Sequence, residues 1–124
     1  MQDNLKVMYR VKFESAYVAA RELIKQGMTY GAYLCLKEAA RAICCYVISD
    51  VTDQQFGQKI KLRKVLDMTQ DIVGREVEDI QELSYLLELE QGGVPAQANA
   101  DCERLNRVRK AIKRISGLYM SCDL

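Results

Sequence analysis

Leu23-Ile24-Lys25-Gln26-Gly27-Met28-Thr29-Tyr30 separates two long stretches of helical periodicity. Before it, Leu5, Tyr9, Phe13, Ala16, Tyr17, Ala20, Leu23 and Ile24 fall within an arc of about 120° when wound at helical spacing. That predicts a helix from Leu5 to Gln26, with Asp3 or Asn4 accepting from the free N–H groups at its start. Gly27 supplies the left-handed conformation that ends it. After the turn, Thr29 reads as the cap of a second helix whose core side is Tyr33, Leu36, Ala40, Ile43, Cys44, Val47 and Val51. Ala39, Ala40 and Ala42 would let a neighbouring helix approach closely. A link of about two or three residues leaves the two helices one arrangement, an antiparallel hairpin.

Working outward, the turn- and cap-rich segment Ser49-Asp50-Val51-Thr52-Asp53-Gln54-Gln55-Phe56-Gly57 ends the second helix. Residues 58–91 are long for one globular helix. Gly74 is a weak point, and Thr69-Gln70-Asp71 reads as a turn and cap. The preferred division is a helix over 58–68 and a longer one over 75–90, with one kinked helix as the alternative. Gln91-Gly92-Gly93-Val94-Pro95 breaks the pattern and opens a loop to Asn99, with Asn99 or Asp101 as the next cap. From Asp101 to Met120, Leu105, Val108, Ile112, Ile115 and Tyr119 recur as a narrow seam that must face other helices. No segment alternates with period two, so no strand is expected. No repeat marks a helical solenoid, although the turn at Gly27 resembles the start of one tetratricopeptide hairpin. The expected fold is all-α: one domain over residues 1–124, an antiparallel four- to five-helix up-and-down bundle.

Composition bounds the function. Of 124 residues, 49% are apolar, and 18 Lys+Arg balance 17 Asp+Glu to a net charge of +1. That excludes a disordered chain. No run of about 18 residues lacks charges, which excludes a membrane-spanning helix. There is no histidine. A Ser-His-Asp triad, a Cys-His pair and His-ligated zinc or haem are therefore impossible, and acid–base chemistry would need a displaced Glu, Asp, Lys, Tyr or Cys. Cys35, Cys44, Cys45, Cys102 and Cys122 contain no C-x-x-C pair, and the adjacent Cys44 and Cys45 diverge by about 100° on a helix. Met1-Gln2-Asp3-Asn4 carries no signal-peptide pattern. Free thiols in a reducing cytosol are the expectation, with Cys35 and Cys44 acting as small core hydrophobes. No catalytic residue, metal or cofactor is expected.

The near-neutral total conceals segregated charge. Lys59, Lys61, Arg63 and Lys64 form a basic segment. Asp67, Asp71, Glu76, Glu78, Asp79, Glu82, Glu88 and Glu90 follow, against Arg75 alone. Arg104, Arg107, Arg109, Lys110, Lys113 and Arg114 then face only Glu103. On the last helix, Arg107, Lys110 and Arg114 lie opposite the apolar seam, on one ridge. This ridge is the candidate contact site. It reads as an ordinary charged face with neighbours three and four residues away, as a docking face for an acidic helix of a second subunit, or as a phosphate-contacting surface. The absence of interleaved aromatic residues and the near-neutral charge weaken the nucleic-acid reading. Glu76, Asp79 and Glu82 share a face but lack the Glu-x-x-His pattern of di-iron bundles, so a solvated face is expected there. Seven tyrosines outnumber two phenylalanines, as suits bundle margins and helix–helix interfaces where the ring is buried and the hydroxyl stays wet.

Ala19-Ala20-Arg21-Glu22-Leu23-Ile24-Lys25-Gln26-Gly27-Met28-Thr29-Tyr30, followed by Ala39-Ala40-Arg41-Ala42, resembles the opening hairpin of HEPN domains. These are helical bundles of prokaryotic toxin–antitoxin and nucleotidyltransferase-associated systems. The resemblance covers residues 16–45, and beyond them only the order of helices. The family's ribonuclease motif, an arginine followed a few residues later by histidine, has no counterpart in a chain without histidine. The resemblance therefore implies a member without nuclease activity, acting through a nucleotide, an RNA or a partner protein. The composite expectation is a non-enzymatic, cytoplasmic interaction module, a homodimer. Its alternative is a nucleic-acid- or nucleotide-binding component using Arg107, Lys110 and Arg114.

Overall fold

The computed structural model describes residues 2–54, 56, 60–73 and 77–121. Among them are five helices and no strand: α1 (Gln2–Lys25), α2 (Thr29–Thr52), α3 (Leu62–Ile72), α4 (Val77–Ala98) and α5 (Cys102–Tyr119). The fold is an all-α bundle. α2 lies at its centre and packs against each of the other four helices. Its buried residues accordingly spread around most of its circumference, from Tyr33, Leu36 and Ala40 to Ala39, Ala42, Cys45 and Ser49. Alanines on this helix keep the neighbouring backbones close.

The hairpin forms as its sequence dictates. Gly27 takes φ +72°. Its N–H donates to the Ile24 carbonyl at 3.0 Å, and the Met28 N–H donates to the Leu23 carbonyl at 2.9 Å. This paired bonding satisfies carbonyls that the end of α1 would otherwise leave open. At the far end of the hairpin, Lys6 Nζ lies 2.8 Å from Asp50 Oδ1, and the Tyr9 hydroxyl donates to the Phe56 carbonyl at 2.8 Å. The core side of α1 is as the spacing predicts, with Tyr9, Phe13, Tyr17 and Ala20 buried.

Several boundaries differ from the sequence reading. α1 begins at Gln2, so Asp3 and Asn4 lie inside its first turn instead of ahead of it. Met28 holds the cap position of α2, and Thr29 Oγ1 instead donates to the Ala98 carbonyl at 2.8 Å. Val51, assigned to the core, is 52% exposed because it stands in the last turn of α2. The division of residues 58–91 into two helices is right, but α3 runs through Thr69-Gln70-Asp71. Thr69 is buried there and its hydroxyl donates to the Val65 carbonyl four residues back, at 2.8 Å. A threonine that bonds its own helix in this way needs no turn. Gly74, read as the weak point, lies outside the described residues, as do Lys59, Arg75, Glu76 and Cys122.

The Gly-Gly-Val-Pro segment breaks α4 without ending helical structure. Gly93 takes φ 73° and ψ −170°, and a further helical turn containing Pro95 follows to Ala98. Pro fits there because the first turn of a helix does not need its missing N–H. The expected loop to Asn99 is thus a kink plus one turn, closed by the Asn99 N–H donating to the Pro95 carbonyl at 3.1 Å. Asp101, one of the two expected caps, does cap α5: Oδ1 accepts from the N–H groups of Glu103 (2.9 Å) and Arg104 (3.4 Å). Its own N–H donates to the Tyr85 hydroxyl at 2.9 Å. Asp101→Ala should therefore lower the unfolding free energy by about 1 kcal/mol. Denaturant titration checks this, and an unchanged midpoint would show that the cap contributes nothing.

Candidate functional site

The seam of α5 is inward, with Leu105, Val108, Ile112 and Ile115 buried and Tyr119 half-buried, so its opposite face is exposed. Arg107, Lys110 and Arg114 all lie on that face and are exposed. They are not equivalent. Arg114 Nε and Nη2 both donate to Asp79 Oδ1 of α4, at 2.8 and 2.7 Å. This hydrogen bond raises the Arg114 pKa further. Arg114 is therefore engaged within the chain and drops out of the ridge as a free contact. A helical wheel of α5 alone could not show this, because the carboxylate comes from α4 and the long arginine reaches around the helix to meet it. Arg104 makes a similar crossing, with Nη1 3.6 Å from Glu88 Oε2 and its guanidinium 3.9 Å above the Tyr85 ring.

Arg107 and Lys110 remain. Neither takes part in an ion pair among the described residues, and with Glu103 and Asn106 they line an open concavity of about 320 Å³. Asn106 is held in place, since its Oδ1 accepts from Arg109 Nε at 2.9 Å. Arg109 turns away from the ridge toward α1, where Nη1 donates to the buried Tyr17 hydroxyl at 2.7 Å. The ridge read from the sequence is thus a pair of cations beside a fixed amide. On α4, Glu78, Gln81 and Glu82 line a second open concavity with Arg104, of about 460 Å³. Asp79, grouped with Glu82 in the sequence, is committed to Arg114. No group of three metal-ligating side chains occurs among the described residues.

Between α1 and α2, Met8, Tyr9, Lys12, Arg41, Cys45 and Ile60 contribute to a cavity of about 20 Å³. That holds about one water molecule. Beside it, burial pushes the Cys45 thiol up to about 11, with Arg41 and Lys12 pulling it back only in part. Cys44 is pushed up to about 12 by burial, and Cys35 is also raised by burial. Thiols held protonated in this way are poor nucleophiles.

The reading of α1 from its core side overlooked its outer side. Val7, Val11 and Val18 are 59%, 57% and 39% exposed. They share the face opposite Phe13 and Ala20, with Arg10 and Glu14 beside them. The signal was available in the sequence as a second apolar periodicity on a helix that already had one. No helix among the described residues is long and apolar enough to cross a membrane. No protein-family model, curated protein or solved structure matches the chain.

Proposed function

We propose that the chain is a non-enzymatic helical interaction module of HEPN-like type that works as a homodimer. The observation that carries this reading is the uncovered valine stripe of α1, where Val7, Val11 and Val18 run over about three helical turns on one outer face. Three β-branched residues aligned along one outer helix face lose solvent exposure only against another surface. The free thiols of Cys35, Cys44, Cys45 and Cys102 support a reducing, cytoplasmic setting. Light scattering over a range of protein concentrations, at two salt concentrations, tests the reading. A concentration-dependent rise toward twice 14.1 kDa is expected. Burial of valine should make that rise persist at high salt, whereas an assembly held by charge alone would dissociate. A monomer under every condition overturns the homodimer.

A second reading is favoured by one specific observation. Arg107 and Lys110 face an open concavity that Glu103 also lines, and neither cation takes part in an ion pair among the described residues. Such a pair suits the phosphates of a nucleic acid or nucleotide. If it binds a polyanion, Arg107→Ala with Lys110→Ala should weaken binding and flatten the salt slope by about 2, one for each lost phosphate contact. Arg114→Ala should leave that slope nearly unchanged, because its charge is already matched by Asp79. Absence of RNA, DNA and nucleotide binding by the wild type at low salt removes this reading.

A further inference from the structure

Resting on the homodimer reading, we propose that two copies pair through the outer faces of α1. The two helices run antiparallel about a two-fold axis that passes between residues 12 and 13.

Val7, Val11, Glu14 and Val18 step along α1 by four, three and four residues, the spacing at which one helix packs along another. All four side chains are exposed or partly exposed, so this seam is separate from the buried one that faces α2. Running it against a second copy fixes the direction. A parallel pair in register would set Glu14 against Glu14 of the second copy and Arg10 against Arg10, like charge on like charge. An antiparallel pair sets Val7 against Val18 and Val18 against Val7, and gives Glu14 the side chain of Val11 to face. Arg10 of the second copy then falls one residue from the position opposite Glu14. Each copy offers the same two contacts to the other, as a closed two-fold interface requires. Within one chain Arg10 Nε already lies 3.1 Å from Glu14 Oε1, so the charges are poised on this face and gain a second partner on pairing.

The seam from Val7 to Val18 is short, about 17 Å at 1.5 Å per residue. Such a contact is smaller than a standard stable interface, so the dimer should be weak and reversible, with Kd of about 10 μM or above. The other large apolar residues exposed among the described ones are Met28, Tyr30 and Leu34 around the start of α2, where Tyr30 and Leu34 span a single helical turn, and Val51, Val94 and Leu118, which stand apart from them. None of these forms a stripe as long as that of α1.

Sedimentation velocity across a protein dilution series tests the pairing. Val11→Asp should weaken dimerisation at least tenfold, while Val94→Asp, on another helix, should not. Arg10→Glu puts two acids at positions 10 and 14, and Glu14→Arg puts two cations there. Each variant alone should dimerise less than the wild type, and an equimolar mixture should regain the dimer. Rescue on mixing cannot arise from contacts inside one chain, and circular dichroism melts confirm that each variant is folded. A wild-type dimer that Val11→Asp leaves intact, or a mixture no more dimeric than its components, overturns the α1 pairing and spares the homodimer reading. A wild type that stays monomeric removes both.

Discussion

Replacing Phe13 with Ala lowers the unfolding free energy by about 3–5 kcal/mol, read as a fall in the urea midpoint at an unchanged slope. Phe13 is fully buried in α1, the helix that forms the hairpin with the central α2. Its ring centroid is 5.8 Å from that of Tyr17, at a tilt of 39°. Tyr17 in turn takes the hydrogen bond from Arg109 that ties α1 to α5. Truncation at position 13 therefore removes an aromatic contact as well as its buried area, and it loosens the ring that receives Arg109. For a domain stabilised by about 5–15 kcal/mol, that is a large share of the total. Val7→Ala, one helix turn and a half away on the exposed face, is the control. In dilute solution it should change stability by less than about 0.5 kcal/mol. A loss below about 1 kcal/mol for Phe13→Ala would show that α1 is not anchored through this ring.

The contrast between those two positions marks what a sequence of this kind discloses. Helical periodicity identified Tyr9, Phe13, Tyr17 and Ala20 because a buried stripe must repeat with the turn of the helix, whichever neighbour it meets. Gly27 and Asp101 were legible for a similar reason: a left-handed turn and an N-terminal cap are local events, settled within a few residues. Thr29, Thr69 and Arg114 were not. Thr29 bonds Ala98, 69 residues away, and Arg114 bonds Asp79, 35 residues away. Thr69 is held inside α3 by the burial of that helix against α2 and α4. In each case local propensity offered a cap, a turn or a free cation, and tertiary contact decided otherwise. The candidate ridge shrank from three cations to two on the same principle. A wheel assigns direction from one axis, but a long side chain beside a neighbouring carboxylate follows the charge. The valine stripe on α1 shows the converse. It is readable locally, as a second apolar periodicity on a helix whose first already accounts for the core.

Raising the pH above about 9 should destabilise the fold steeply, through the thiols of Cys44 and Cys45. Burial lifts them from an unfolded value of 9.0 to about 12 and about 11, respectively. The Thr69 hydroxyl beside Cys44 and the cations Arg41 and Lys12 near Cys45 offset that burial only in part. Between those limits the unfolded chain has released its thiol protons and the folded chain has not. The folded state then binds more protons, so stability falls as pH rises. The contribution is fully present below about pH 9 and is lost as pH climbs through the folded values. Averaged from pH 9 to pH 11, each thiol accounts for about 1 kcal/mol per pH unit, or together about 2 kcal/mol per unit. Tyr9 and Tyr33, whose pKa values are also raised by burial, act in the same direction once the unfolded tyrosines begin to ionise above 10.0. Urea midpoints measured from pH 8 to pH 11 in reducing buffer check the sign and the size. Cys44→Ala keeps a small apolar group in the core and should about halve the slope between pH 9 and pH 10, whatever it does to stability at pH 7. A midpoint that stays level up to pH 11, or a slope that Cys44→Ala does not alter, would mean that water reaches these thiols. The contact between α2 and its neighbours would then be looser than close packing of Cys44 and Cys45 requires.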